Sequence, residues 1–313
     1  MHDESFLHAL ATEGALLLDG GLATQLEAQG ADLSDELWSA RLLVEDPGAI
    51  AAAHLAYYRA GARVATTASY QATFEGFAGR GISHDEAAVL LRRSVQLAVE
   101  SRVAAAGEGI RGPLFVAASV GPYGAMLADG SEYRGNYGRS VAELAAFHRE
   151  RLAVLASAGP DVLAVETIPE VEEAVAVASL LPEVAPGIPA WISFSCADGG
   201  RLRSGAPVEE AVAALAGAPG VVAIGFNCTS PEFADELVGR FHAASGLPVV
   251  VYPNSGEGWD AANRCWTGTG ARVDAAAAAR WRTAGAGLVG GCCRVTPPQI
   301  EDLGAGLAAA GRH

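Results

Sequence analysis

No lysine occurs in this sequence: its 21 basic residues are all arginine, set against 36 aspartates and glutamates. A net charge of −15 repels polyanions, which argues against nucleic acid and against anionic membranes as partners. Long apolar runs are missing too, and nothing approaches the about 20 consecutive apolar residues of a membrane span. The first residues carry Asp3 and Glu4 in place of a basic segment, and the apolar stretch at 15–18 is too short for a signal core. A cytoplasmic protein is therefore expected. Thiols stay reduced there, so the five cysteines are expected as metal ligands, catalytic groups or core fillers and not as disulfides. There is no Cys-x-x-Cys, and the seven histidines form no His-x-His or His-Glu-x-x-His, which argues against a histidine-ligated zinc hydrolase. Charged residues make up only 18% and apolar residues 50%, which supplies a full core and leaves little for disordered segments. No linker or repeat divides the chain, so residues 1–313 are expected to form one domain.

What is present is a rhythm. Short apolar, β-rich runs lie at 15–18, 63–67, 114–118, 162–165, 190–194, 221–226, 249–252 and 288–290. Several are apolar at nearly every position, as strands buried on both faces require. Helix-start signals separate them: Asp46-Pro47, Ser230-Pro231 and Thr296-Pro297 place a cap before proline, Asp274 opens another helix, and Ser83/Glu86 and Ser140/Glu143 fit capping boxes. Gly61, Gly159, Gly246 and Gly285 stand where helices must end before the next strand. Eight strands alternating with eight helices point to an α/β fold, a (β/α)₈ TIM barrel, with a doubly wound open sheet as the rival. Two connections are long, residues 23–45 after the first strand and 121–138 after the third.

In a barrel, chemistry collects at the strand C-terminal ends. The first polar residues there are Asp19, Ser69, Ser119, Glu166, Ser195, Asn227-Cys228, Asn254 and Cys292-Cys293. The serines serve equally well as ordinary strand-end turns. Asp19 and Glu166 follow fully apolar strands, where an unpaired carboxylate is costly. Cys228 ends the sixth strand and Cys292-Cys293 the eighth, so three thiols share one mouth. Three thiolates on zinc leave the fourth tetrahedral position open, the pattern of a catalytic site; the alternative is that these are buried thiols used as small hydrophobes. Neighbouring strand residues face opposite ways, so both Cys292 and Cys293 reach one ion only if the chain leaves strand geometry, and Gly290-Gly291 is expected to give that freedom. Cys196 and Cys265 complete no ligand pattern and are expected as packing residues. The Gly285-x-Gly287-x-x-Gly290 match to a dinucleotide fingerprint is rejected because it precedes a strand.

Further motifs carry a family likeness. Asp19-Gly20-Gly21-Leu22-Ala23-Thr24-Gln25-Leu26-Glu27, Ser69-Tyr70-Gln71-Ala72, Ser119-Val120-Gly121-Pro122-Tyr123-Gly124 and Ala128-Asp129-Gly130-Ser131-Glu132-Tyr133-Arg134-Gly135 occur in that order. Glu166-Thr167-Ile168-Pro169, Gly225-Phe226-Asn227-Cys228, Tyr252-Pro253-Asn254-Ser255-Gly256-Glu257 and Gly290-Gly291-Cys292-Cys293-Arg294 follow. Together, from about residue 17 to about residue 298, they resemble the homocysteine S-methyltransferases.

The resemblance implies a (β/α)₈ barrel and a Zn²⁺ ion held by Cys228, Cys292 and Cys293. It also implies that Asp19 and Glu166 bind the amino group of L-homocysteine, with backbone amides near Gly20 and Ser119 holding its carboxylate. Asn227 completes the acceptor site, and Tyr70, Tyr123 and Tyr133 are candidates for an aromatic lining beside a cationic donor. The segments around Ser119 and Tyr252 look most like the branch that uses S-methylmethionine, with S-adenosylmethionine as a second donor. Arg203-Ser204-Gly205 departs from the family, where an aspartate precedes the glycine. Methyl transfer to homocysteine is the expected activity, in a monomer or small homo-oligomer. Transfer to a related thiol or selenol such as selenocysteine, and a non-catalytic zinc- or thiol-binding barrel, are the alternatives.

Overall fold

The computed structural model describes residues 5–32, 40–260, 265–267 and 273–311. Its strands are β1 (Leu16–Leu17), β2 (Val64–Thr66), β3 (Phe115–Val120), β4 (Val162–Ile168), β5 (Ala190–Phe194), β6 (Val221–Asn227), β7 (Val249–Tyr252), β8 (Gly258–Asp260), β9 (Cys265–Thr267) and β10 (Ala286–Val289). Its α-helices are α1 (Phe6–Thr12), α2 (Leu22–Ala28), α3 (Leu42–Glu45), α4 (Pro47–Arg59), α5 (Phe74–Ala78), α6 (His84–Gly107), α7 (Tyr123–Leu127), α8 (Val141–Ser157), α9 (Val171–Val184), α10 (Val208–Ala214), α11 (Ala234–Ser245), α12 (Ala275–Thr283) and α13 (Pro297–Ala310).

Eight strands form one parallel sheet in the order β1-β10-β7-β6-β5-β4-β3-β2. A parallel bridge between Leu18 and Val64 joins its two ends and closes the barrel. The open-sheet rival is thereby excluded. The strands alternate as a closed sheet requires. Leu16, Leu18, Val64, Phe115, Trp191 and Leu288 belong to the cluster inside the barrel. Leu17, Val116, Leu163, Ile192, Phe226 and Val289 pack outward under the helices. Both faces are buried, which is why the sequence runs are apolar throughout.

The expected caps form. Asp46 accepts a hydrogen bond from Ala49 N, Asp274 accepts from Ala277 N, and Ser83/Glu86 and Ser140/Glu143 make complete capping boxes. Thr296 adds another with Gln299. Ser230-Pro231 opens a 3₁₀ turn instead of an α-helix. Gly61, Gly159, Gly246 and Gly285 all have left-handed backbones. Strands β3, β4 and β6 extend past their apolar runs, because their polar ends are buried as well.

Two elements had no signature in the pattern. Helix α1 brings Phe6 against Phe115 and Trp191, with ring centroids 5.5 and 6.4 Å away, and so plugs the end of the barrel opposite the strand C-termini. The antiparallel hairpin β8–β9 grows from the connection after β7. In the first long connection, residues 33–39 lie outside the described residues, and the rest carries α2 and α3. The second carries α7 and a 3₁₀ turn at Ser131–Tyr133. No described helix is long and apolar enough to cross a membrane.

Candidate functional site

Cys228, Cys292 and Cys293 converge where β6 and β10 end, with their sulfurs all within 4.8 Å of one another. Cys228 reaches the cluster because its backbone is left-handed, φ 45°, which turns the chain out of strand geometry. Cys292 N donates to Pro253 O at 2.7 Å and Ser255 N donates to Cys293 O at 3.0 Å, which fixes the vicinal pair against the loop after β7. The role expected of Gly290-Gly291 needs correcting. Neither glycine has a positive φ; the left-handed residue is Arg294, at φ 68°. The requirement is space: a Cβ on Gly290 would lie 2.6 Å from Leu18 Cβ, and one on Gly291 would lie 2.2 Å from Val295 Cγ1.

Cys228 and Cys292 come within disulfide reach, on Cα atoms 5.6 Å apart. That separation suits a disulfide, and the convergence that would serve a metal is what brings the two thiols into reach. Three sulfurs at one point fit a soft metal cation when reduced, because the cation removes the repulsion between thiolates. Burial pushes the Cys293 thiol up to about 12, so it needs such a cation to ionise near neutral pH.

The sulfurs open onto a cavity, and no basic side chain lines it among the described residues. Asp19 is held at its rim by Thr66, whose N and Oγ1 donate to the carboxylate at 2.7 and 2.9 Å. Glu166 accepts from Ser119 Oγ and interacts with Tyr252. Burial dominates both carboxylates and raises Asp19 to about 8 and Glu166 to about 7, although the hydrogen bonds from Thr66, Ser119 and Tyr252 pull the other way. The cavity thus collects acidic groups that lack counter-ions, an arrangement that selects a cation.

Glu166 and its neighbour Thr167 both line the cavity, which regular alternation forbids. Thr167 is left-handed, φ 61°, and the β4–β5 register shifts beside it. A β-branched residue resists that backbone, and Asn227 holds it there: Thr167 N donates to Asn227 Oδ1 at 2.7 Å and Asn227 Nδ2 donates to Thr167 Oγ1 at 2.7 Å.

A model of the family described as homocysteine S-methyltransferase matches residues 16–307. The chain belongs to the homocysteine S-methyltransferase family. It is 49% identical to the homocysteine S-methyltransferase of Escherichia coli (strain K12), over 94% of this chain and 96% of that one. It is likewise 49% identical to homocysteine S-methyltransferase 4 of Zea mays, over 93% and 88% of the two chains. Among solved structures, the metallated form of the homocysteine methyltransferase from Escherichia coli superposes with a TM-score of 0.86 at 46% identity, covering 98% of this chain and 99% of that one. An oxidized form of the same enzyme gives a TM-score of 0.86 at 48% identity, covering 96% and 98%.

Within this homocysteine S-methyltransferase barrel, the strand-end residues divide into those that face the cavity and those behind it. Asp19, Gly20, Tyr70, Glu166, Asn227 and the three cysteines line it, and so does Tyr133. Ser119 stands behind: its N donates to Thr67 Oγ1 at 3.0 Å and its side chain is spent on Glu166, so its amide is not available to a substrate carboxylate. Ser69 and Ser195 are fully buried and bonded to neighbouring protein groups. Asn254 is tied to the β6 loop through its N and Thr229 O, 3.1 Å. Tyr123 packs edge-on against Phe147 and Tyr137 outside the cavity, and its N donates to Glu173, itself paired with His148 at 2.8 Å. Cys196 is a packing residue, as expected; the side chain of Cys265 lies outside the described residues.

Three residues were missed. Tyr252 lines the cavity; it ends an apolar run and opens the Tyr252–Glu257 motif, and neither pattern tells that its hydroxyl faces inward. Tyr57, in α4, ties the first and eighth loops by donating to Gly21 O and Val295 O at 2.9 and 3.0 Å, and nothing local in the sequence marks it. Glu132 also faces the cavity; the sequence carries it only as a member of the Ala128–Gly135 motif, with no role of its own.

Proposed function

We propose that this protein transfers a methyl group from a sulfonium donor, S-methylmethionine foremost, to the thiol of L-homocysteine, giving L-methionine, with zinc held by Cys228, Cys292 and Cys293. The observation that carries the proposal is three sulfurs from two strand ends meeting beside two buried carboxylates in one cavity. The ligand set is all sulfur, which suits zinc over harder divalent ions. When bound, zinc supplies the positive charge that lets a thiol ionise near neutral pH.

The chain's own residues do the rest. Asp19 and Glu166 accept hydrogen bonds from the substrate ammonium and gain as carboxylates the counter-ion they lack. Ser119 and Tyr252 keep Glu166 aimed, and Asn227 keeps the Thr167 backbone turned. With no basic side chain lining the cavity among the described residues, the substrate carboxylate is left to backbone amides, those at Gly20 first. In the transfer, a bond forms between the homocysteine sulfur and the methyl carbon as the bond from that carbon to the donor sulfur breaks. The bonding pair stays on the donor sulfur, which leaves as a neutral thioether, and the thiol proton goes to solvent. The barrel wall supplies alignment and keeps water away. The protein acts in the cytoplasm on small molecules, as a monomer or small homo-oligomer.

The test begins with reduction, to keep all three thiols free, and zinc loading. Methionine formation from homocysteine is then followed with S-methylmethionine, S-adenosylmethionine and betaine separately, with and without chelator. Turnover with S-methylmethionine that the chelator abolishes is expected. In Cys292→Ala, bound zinc falls from about one to under about a tenth per chain, and turnover falls at least about a hundredfold. Full activity of that variant without metal would refute the ligand set.

A further inference from the structure

The cavity holds a third acid that the acceptor site does not use. Glu132 lies on the 3₁₀ turn Ser131–Tyr133, is 9% exposed and lines the cavity, and its Oε2 is buried without a hydrogen-bond partner. Asp19 and Glu166 differ in this respect, each having protein donors. The nearest cation on the turn, Arg134, bonds Asp129 at 3.3 Å and Ser131 Oγ at 2.7 Å.

This is a built position. Ser195 Oγ donates to Glu132 O at 3.2 Å, and Ser131 N donates to Asp129 Oδ1 at 2.9 Å. Helix α7 is pressed so closely on the turn that a Cβ at Gly124 would come within 2.6 Å of Glu132 N. Beside the carboxylate stand the cavity-lining rings of Tyr70 and Tyr133, the latter covered by the Arg203 guanidinium at 5.8 Å. A buried carboxylate with no partner is costly, and a fixed backbone keeps it from swinging out to water. Such a group is satisfied by a ligand that brings its own N–H donors and a positive charge.

We infer that Glu132 binds the α-ammonium group of the methyl donor, and so selects sulfonium donors that are amino acids. The inference rests on the proposed methyl transfer and extends it to the donor. One ammonium, that of homocysteine, is already matched to Asp19 and Glu166, so a third acid calls for a second cation. Of the donor's two positive groups, the sulfonium loses its charge as the methyl leaves. An anion held against it would stabilise the starting state more than the transition state. The ammonium keeps its charge throughout, so binding there costs nothing in the transfer step. The Tyr70 ring, a softer partner for a cation, is left to the sulfonium. A quaternary ammonium such as betaine has no N–H to offer Glu132 and gains nothing from it.

The test is Glu132→Gln, which keeps the shape and removes the charge. Because it relieves an unpartnered buried charge, it is expected to melt at or above the wild-type temperature. The KM for S-methylmethionine should rise about tenfold or more, as loss of a charge-assisted hydrogen bond requires. The KM for homocysteine should move less than about twofold, and the preference for S-methylmethionine over trimethylsulfonium, which has no ammonium, should shrink about tenfold. Calorimetric titration with S-methylmethionine reads the same weakening without turnover. An unchanged KM and affinity for S-methylmethionine would overturn the inference. So would equal losses with S-methylmethionine, trimethylsulfonium and homocysteine. Should the wild type form no methionine with any sulfonium, the methyl-transfer proposal falls on its own, and the titration still decides the role of Glu132.

Discussion

Asp19 and Glu166 hold their protons to about pH 8 and 7 because burial penalises the charged form more than Thr66, Ser119 and Tyr252 favour it. An ammonium ligand reverses that balance, since it bonds the ionised carboxylates. Binding therefore strengthens as pH rises and releases protons. L-Homoserine, which has no thiol to titrate, isolates the effect: its affinity is expected to rise at least about tenfold from pH 6 to pH 8, with proton release measurable by calorimetry in buffers of different ionisation heat. Constant affinity across that interval would remove both acids from ammonium binding. The same shifts set a stability trend. Folded-state values above the ordinary carboxylate range mean that the unfolded chain sheds these protons first, so stability contributed by the pair is lost as pH climbs from about 4 to about 8. Glu166→Gln should weaken homoserine at least about tenfold at pH 8 while leaving the ligand-free melting temperature there no lower than wild type.

The elements that carry the sulfurs are aligned by close backbone approach. Strand β10 ends at Val289, and the next two residues run between β1 and the turn to α13 with no room for a side chain. Gly291→Ala would push on Val295 and shift the Cys292-Cys293 turn. It is expected to loosen zinc at least about tenfold in chelator competition, with the helical circular dichroism unchanged. Unaltered zinc affinity would show that the turn absorbs a methyl group. Glycine at these positions was legible in the sequence, but its purpose was not. A glycine used for φ and a glycine used for space look alike until the neighbour from another strand is seen. Caps behave differently: Ser83/Glu86 and Ser140/Glu143 act within four residues, so their capping boxes could be read directly.

For the molecule as a whole, the two barrel ends have separate tasks. The mouth gathers the polar residues, while α1 seals the other end with Phe6, which is 3% exposed. Phe6→Ala removes an aromatic side chain from between Phe115 and Trp191 and is expected to lower unfolding free energy by about 3–5 kcal/mol in urea titration. The KM for homocysteine should hold within about twofold, because the wall between the ends is a packed core and not a channel. A KM change as large as the stability change would mean that the plug shapes the mouth.

What the sequence determined by itself is local or periodic. Apolar runs two-sided in their burial, caps before helices and polar residues at strand ends were sufficient for the barrel and for Asp19, Glu166, Cys228, Cys292 and Cys293 to be found at one mouth. Tertiary structure alone decided which of those ends face inward. Ser119 and Tyr123 belong to recognisable motifs, yet one stands behind Glu166 and the other packs against Phe147, while Tyr252 and Glu132 enter the cavity. Side-chain direction at these positions depends on left-handed Thr167 and Cys228, on the β4–β5 register shift, and on hydrogen bonds between residues tens of positions apart. No one-dimensional pattern encodes those contacts, because each exists only once the closed sheet has brought its partners together.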